Sequence, residues 1–498
     1  MLKTIRRVLA FFVFVLITLM FLDFTGTVNH WFGWLPMIQF IPAVLALHVV
    51  IVIALLVLTA IFGRIYCSVI CPLGIFQDIV AHFHVMTHNR FAKKKHKYAY
   101  RKELPVIRWF FLCLFVVLFA FGVVSIAALI EPYSAFGRMA TNLFAPLYGW
   151  TNNGLAAVAE HFESYAFYST DVWVKGGVSL LVSVITLVVI VAFAFTGRTY
   201  CNTICPVGTI LSVVSRFSWF KVQVDESKCN KCGQCARSCK AHCIDSPNGK
   251  IDYSRCVVCG NCLGKCKQGA LKYTHKRLSA GVSVETTEKP ADEGRRAFLI
   301  GAAAVTVGTA LAQEQKKVDG GLAAIADKKI PERAKRIVPP GAVSLEHLAQ
   351  HCTACQLCIS NCPNGVLRPS TDFEHLMQPE MSYERGYCRP ECNRCSDVCP
   401  TGAIRLVELP EKCSTKIGTA RIVAENCITG SGVSCGNCAR HCPVGAITMV
   451  KFGDDENAVA SPVVDPECCI GCGACENLCP VRPISAIIVD GIEQQRTI

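Results

Sequence analysis

Apolar positions concentrate at the front of the chain, in four long runs at about 8–22, 42–62, 105–130 and 176–196. Each is close to or above the ~18–20 residues that a bilayer crossing needs. Lys3, Arg6 and Arg7 precede the first run. No small-residue cleavage site follows it, so it reads as a retained anchor rather than a signal peptide. The loop after the second run carries Arg90, Lys93, Lys94, Lys95, Lys97, Arg101 and Lys102. The loop after the third has Arg138 and Lys175, opposed by Glu131, Glu160, Glu163 and Asp171. The positive-inside rule therefore puts the N-terminus and the basic loop in the cytoplasm.

Beyond the fourth run the pattern turns polar. It predicts an α-helical membrane domain of four spans over 1–220 and a small α+β domain over 221–275. Linkers over 276–345 surround a fifth, signal-like hydrophobic segment at 295–312, and a larger α+β domain covers 346–490. Composition sharpens this picture. Hydrophobic residues make up 52% of the 498 and charged residues 17%, against roughly a quarter charged in an ordinary soluble domain. That excludes a disordered chain. The formal net charge of +13 is then mainly a topology signal, and no nucleic-acid partner is expected.

Thirty-two cysteines carry the chemistry. The phrase C-x2-C-x2-C-x3-C occurs at Cys229, Cys232, Cys235, Cys239; at Cys256, Cys259, Cys262, Cys266; at Cys352, Cys355, Cys358, Cys362; and at Cys469, Cys472, Cys475, Cys479. Cys388, Cys392, Cys395, Cys399 has one extra residue in its first gap. Cys427, Cys435, Cys438, Cys442 has a seven-residue first gap. Three thiolates on one tight loop suit three irons of a [4Fe–4S] cubane, and the fourth cysteine reaches the neighbouring cluster of a two-cluster unit. Disulfides rarely need this spacing, and zinc sites pair their ligands across a longer spacer. Six clusters are therefore expected, using 24 of the 32 cysteines. In the first domain Cys229, Cys232, Cys235 and Cys266 should hold one cluster. Cys256, Cys259, Cys262 and Cys239 should hold the other, with Cys243 a rival to Cys239. By analogy with other four-cluster ferredoxins, motif one of the larger domain should pair with motif four, and two with three. No CxxCH haem attachment and no nicotinamide or flavin site is evident.

Of the eight remaining cysteines, four lie in a repeat. Gly63-Arg64-Ile65-Tyr66-Cys67-Ser68-Val69-Ile70-Cys71-Pro72-Leu73-Gly74 follows the second run, and Gly197-Arg198-Thr199-Tyr200-Cys201-Asn202-Thr203-Ile204-Cys205-Pro206-Val207-Gly208 follows the fourth. Cysteines four apart share a helix face. Cys67, Cys71, Cys201 and Cys205 are thus candidates for a metal centre or a redox-active thiol set, with a packing or disulfide role as the alternative. Cys113, Cys243, Cys413 and Cys468 read as ordinary thiols. His48 within the second run, and Asp23, His30 and Glu131 at span ends, are candidate proton acceptors, since ionisable groups in spans are functional by default.

Arg295-Arg296-Ala297-Phe298-Leu299 before an apolar stretch ending Ala310-Leu311-Ala312 resembles a twin-arginine export signal. Such a signal suits a domain that must cross the membrane folded, with its clusters in place. Residues 1–275 resemble NapH-type membrane ferredoxin proteins, and 295–485, with the seven-residue gap, resemble NapG/MauM-type ferredoxins. The resemblance implies a fusion of two usually separate proteins. It would act as a quinol dehydrogenase module in the bacterial inner membrane, with the quinone pool as one partner. The other partner would be a redox protein such as a periplasmic nitrate-type reductase or a cytochrome. A NosR-like electron donor for metalloenzyme maturation and a redox sensor are the alternatives.

Overall fold

The computed structural model describes residues 2–23, 25–91, 97–164, 167–275, 326–451 and 459–498. The twin-arginine-like segment at 295–312 lies outside them. Among the described residues, eight helices of eight or more residues build the first part: α1 Leu2–Leu22, α2 Val49–Phe62, α3 Pro72–Phe91, α4 Pro105–Ala120, α5 Pro132–Met139, α6 Ala145–His161, α7 Gly177–Phe195 and α8 Pro206–Ser215. Proline opens α3, α4, α5 and α8, where its missing N–H costs nothing.

Two of these helices, α1 and α7, are long and apolar enough to cross a membrane. The second and third apolar runs do not form single helices. The chain halts after Phe40–Leu45, where Leu47 takes φ 53° and the His48 N–H closes back on the Ala43 carbonyl at 2.9 Å. In the third run Gly122, at φ 76°, and the Val123 N–H on Leu118 O at 2.9 Å do the same. Both are left-handed helix stops that satisfy terminal carbonyls. Among the described residues two helices rather than the four expected have the length and apolar character of a crossing, with α2 and α4 as shorter apolar helices. Hydropathy averages over such stops, and only Gly122 announces one in the sequence.

The helices are packed inside out. Outward positions carry Phe11, Phe12, Val50, Ile53, Phe110, Val117, Ile185 and Val188, all at least 49% exposed. Thr59, Ser179, Ser183, Asn142, Gln77 and Gln39 face inward, buried. Only 28% of the apolar window of α1 and 22% of that of α7 are buried, unlike the core helices of a soluble domain.

Residues 221–275 form the first small cysteine-rich domain. Strand β1 (Lys221–Val224) pairs antiparallel with β4 (Leu271–Thr274), Lys221 opposite Thr274, and the tiny β2–β3 hairpin (Ile244–Asp245, Lys250–Ile251) lies between them in sequence. The larger domain repeats the pattern with β5–β6 (Leu367–Pro369, Pro379–Met381), β8–β9 (Ile447–Val450, Ser461–Val464) and the longest pair, β7 (Thr415–Ile422) with β10 (Ile487–Thr497).

The two domains sit at opposite ends of the long helices. At the start of α1, Lys3 lies against Gly260 of the small domain. Near its end, the Met20 carbonyl accepts from Asn361 of the larger one at 3.3 Å. α7 runs the other way: Lys175, before its start, bonds Ile359 O at 3.1 Å, and Arg198, beyond its end, donates its N–H to Lys240 O at 2.8 Å. Twenty-one residues rise about 31 Å, close to a bilayer's ~30 Å hydrocarbon core.

The larger domain docks through close backbone approach. A Cβ on Gly137 of α5 would lie 2.4 Å from Cys355 O and 2.9 Å from Phe21 Cζ. Gly137→Ala is expected to cost about 1–3 kcal/mol, read as a lowered thermal unfolding midpoint with the secondary-structure content unchanged.

Candidate redox centres

Loop geometry explains the cysteine spacing. In the four regular motifs, the residues two and four after the first cysteine have positive φ: Lys231 and Gly233, Val258 and Gly260, Ala354 and Gln356, Gly471 and Gly473. That winding brings backbone N–H groups toward sulfur, as at Ala354 N to Cys352 Sγ, 3.4 Å. Left-handed backbone is strained for a β-branched residue such as Val258. Such strain persists where the surroundings over-determine it, commonly at functional sites.

Cys229, Cys232, Cys235 and Cys266 surround a cavity of 110 Å³. Cys239, Cys256, Cys259 and Cys262 surround a second, where Cys243 joins them with its sulfur 3.5 Å from Cys239. In the larger domain the expected nesting of motif one with four and two with three does not occur. Adjacent motifs pair instead. Cys399 stands among Cys352, Cys355 and Cys358, while Cys362 stands with Cys388, Cys392 and Cys395. Cys479 closes a cavity with Cys427, Cys435 and Cys438, and Cys442 neighbours Cys472 and Cys475, the latter also beside Cys469. The reason is local. The short helix within each motif packs on that of its sequence neighbour, Leu357–Ser360 on Arg394–Asp397 and Asn437–Arg440 on Ala474–Leu478. The two pairs meet where Cys388 N–H donates to Cys472 O at 2.9 Å. All 32 cysteines are outside disulfides. Among the described residues no three cysteine sulfurs lie within 4.8 Å of one another. A four-thiolate zinc, with bonds of 2.3 Å, needs edges of about 3.8 Å.

The glycine-arginine-cysteine repeat folds as a two-fold pair, and several positions shared by its two copies make matching contacts. Gly63 and Gly197 adopt φ 76° and 101°. Arg64 and Arg198 are fully buried and cross between copies. Arg64 donates to Cys201 O at 3.1 Å and approaches Cys67 Sγ at 3.8 Å. Arg198 donates to Cys67 O at 2.7 Å and approaches Cys201 Sγ at 3.8 Å. A Cβ on Gly74 or Gly208 would strike the Cys67 or Cys201 carbonyl at 2.4 or 2.2 Å. Cys67, Cys71, Cys201 and Cys205 are all buried, mutual neighbours.

Asp78 anchors this centre to the small domain. Its carboxylate pairs with Arg198 at 2.6 Å, Lys240 at 2.5 Å and Arg6 at 3.3 Å. Burial opposes its charge, but Arg198 and Lys240 outweigh burial and hold it below the usual carboxylate range. Arg6, expected as a flanking topology charge, is 6% exposed in this cluster. At the other end, Asn142 Nδ2 donates to Gln356 Oε1 at 2.7 Å and to Ser183 Oγ at 3.1 Å, while Ser179 Oγ donates to Asn142 Oδ1 at 2.9 Å. Sequence reasoning missed both locks, although polar Asn142, Ser179, Ser183 and Asp78 beside apolar runs were a usable signal.

The proton-acceptor candidates fall in separate places. His48 is exposed at the α2 start, and His30 is exposed with its ring against Trp31 at 5.8 Å. The Asp23 carboxylate accepts from the N–H groups of Thr25, Gly26, Val28 and Asn29. Burial works against its charge, and these donors hold it below its ordinary value. Glu131 caps α5 through the Tyr133 and Ser134 N–H groups, and burial pushes its carboxyl up. A 660 Å³ cleft opens between Phe21, Leu22, Tyr148, Trp173 and the Cys362 loop. Within it Arg385 lies over Trp173, 4.7 Å from the ring centroid, and pairs with Asp171 at 3.2 Å.

Three family models match the chain. A 4Fe-4S binding domain covers 44–95 and 177–224, and a 4Fe-4S dicluster domain covers 351–403, 387–446 and 432–482. A second 4Fe-4S dicluster model covers 252–366. The methylamine utilization ferredoxin-type protein MauM of Paracoccus denitrificans (strain Pd 1222) is 33% identical over 168 residues, 32% of this chain and 73% of that protein. The ferredoxin-type protein NapG of Escherichia coli (strain K12) is 30% identical over 204 residues, 37% of this chain and 81% of NapG. The chain belongs to the MauM and NapG family of ferredoxin-type proteins. As in any multi-cluster member of this family, its chemistry is electron transfer through 4Fe–4S centres. The putative electron transport protein YccM of Escherichia coli (strain K12) is 23% identical over 227 residues, 42% of this chain, which spans 53% of YccM. No solved structure matches.

Proposed function

We propose that this ferredoxin-type protein is a membrane-embedded conductor. It takes electrons from quinol and passes them to a redox partner protein on the periplasmic side. In this reading Cys229 to Cys266 hold two [4Fe–4S] clusters on the cytoplasmic side, and Cys352 to Cys479 hold four outside, six in all. One observation carries it: the two cysteine-rich domains cap opposite ends of helices whose apolar faces point outward. A contiguous exposed apolar surface of this kind marks a membrane or partner site. α1 and α7 suit crossing, and α2 and α4, with the short turns before and after them, complete a four-run membrane domain.

When bound, a cubane supplies one-electron transfer at a potential set by its surroundings. The cleft beside Cys362 suits the quinol, because it joins apolar α1 and α6 side chains to a motif thiol. Trp173 offers a ring face, and Asp171 a solvent-exposed carboxylate for protons leaving the quinol. Cys388 and its contact to Cys472 continue the route toward Cys427, Cys435, Cys438 and Cys479, far from the cleft in the pairing order, where a partner would dock.

The test mixes the purified full-length protein, oxidised and anaerobic, with a reduced menaquinol analogue and follows cluster absorbance and EPR. Bleaching at a rate lowered about tenfold or more by Trp173→Ala is expected. Clusters that dithionite reduces but quinol does not would contradict the reading.

A further inference from the structure

We propose that the cleft where α1 and α3 meet the small domain binds one anionic phospholipid by its phosphate headgroup. The inference rests on the membrane-embedded reading and adds a ligand to it. The cleft has a volume of 690 Å³ and is lined on its polar side by Lys3, Arg6, Arg7, Arg237, Lys240 and Lys265. Among the described residues Asp78 is its one lining carboxylate, and that charge is already shared by Arg6, Arg198 and Lys240. Lys3 has Arg7, Lys265 and Arg6 as charged neighbours, so a surplus of positive charge surrounds it. α1 adds to this field, because its first turn holds no acidic residue and a helix N-terminus carries partial positive charge.

A second observation points to a ligand in this cleft. Arg6 is 6% exposed and its Nε is buried without a hydrogen-bond partner, although its Nη1 donates to Ser68 O at 3.1 Å and to Asp78 at 3.3 Å. An unmade bond on a buried cation is costly, and a phosphate oxygen would accept it. Asn261 Oδ1, also at the cleft, is a buried acceptor without a donor, and a headgroup hydroxyl would supply one. The remaining wall is apolar. Ala10 and Ile75 are buried in it, while Phe11 and Phe83 stand 61% and 55% exposed at its outer edge. Phe11 lies eight residues beyond Lys3 in α1, a rise of about 12 Å. Cations and apolar wall are thus spaced as a headgroup and the upper part of its acyl chains. Quinone has no charge to match these cations, and an acidic peptide has no acyl chain for this wall. Basic pockets between membrane helices on the cytoplasmic side take anionic headgroups in this way. Bound here, the lipid would bridge α1 to the small domain where Lys3 meets Gly260, and so hold the Cys259 loop against the helices.

Native mass spectrometry of the full-length protein, released from mixed micelles of phosphatidylglycerol and phosphatidylcholine, tests this. Retained phosphatidylglycerol is expected, held about tenfold more weakly by Lys3→Gln/Arg7→Gln. Arg101→Gln/Lys102→Gln, at exposed basic residues outside the cleft, should retain it as wild type does. Equal loss in both variants, or phosphatidylcholine held as firmly as phosphatidylglycerol, overturns the proposal. Inorganic phosphate or polyglutamate that raises the thermal unfolding midpoint as much as short-chain phosphatidylglycerol also contradicts it, since neither carries acyl chains. If Lys3→Gln/Arg7→Gln does not accumulate, Lys265→Gln, on the small domain's side, decides by the same comparison. Failure of the wider reading looks different. Protein that is soluble without detergent and takes up neither lipid removes the membrane domain and this site with it. Protein that needs detergent but shows no headgroup preference removes this site alone.

Discussion

Asp78→Asn is expected to destabilise the protein by about 3–5 kcal/mol, because it leaves buried cations without their shared counter-charge. Arg198 and Lys240 are 0% and 9% exposed at their side chains, and both depend on this carboxylate. The loss should appear as separate unfolding of the small domain, since Lys240 is its anchor to the helices. Gly197 tightens the same junction: a Cβ there would lie 2.3 Å from Lys240 O. Asp78→Glu keeps the charge and should recover part of the stability. The pH dependence follows from the depressed carboxyl. Its contribution is complete above the ordinary carboxylate range near 4 and is lost as pH falls through the lower, folded-state value. Wild type should therefore lose the junction in acid, while Asp78→Asn, already without it, should show a flatter profile. Circular dichroism melts of the two proteins between neutral and strongly acidic pH check both statements.

Cys479→Ser should remove or convert the cluster bound by Cys427, Cys435 and Cys438, a loss of up to about four irons. Its EPR difference from wild type should match that of Cys438→Ser. The reason is the cavity that these four residues share. In a nested arrangement Cys479 would instead serve Cys352, Cys355 and Cys358, and its spectrum would match Cys355→Ser. Cys362→Ser provides the reciprocal comparison, since its thiol stands with Cys388 and Cys395. It should perturb the centre that borders the Trp173 cleft, and so slow reduction by quinol more than Cys479→Ser does.

Cysteine spacing was the most legible part of this molecule, because ligation by one loop is a local property. Grouping the four sets of the larger domain was not local. It depends on which short helices pack together, and hydropathy says nothing about that. Apolar runs located the helical domain but concealed the stops at Leu47 and Gly122. A left-handed residue ends a helix without lowering the average hydropathy of its window. The repeat was readable as a duplication, yet its meaning needed three dimensions. Arg64 and Arg198 were positions of the repeat with no role assigned to them, and only the fold shows them buried and exchanged between copies. Arg6 misled in the same manner, as a topology marker that is also a buried partner of Asp78.

The central claim is that electrons leave quinol in the membrane and emerge from the larger domain. Proteoliposomes carrying the full-length protein and a menaquinol analogue, with a membrane-impermeant one-electron acceptor such as ferricyanide outside, test it most directly. The account predicts acceptor reduction that needs both quinol and protein, and that falls sharply in Cys479→Ser. Acceptor reduction that proceeds equally without quinol or in that variant, or none at all from protein whose clusters are intact, would contradict it.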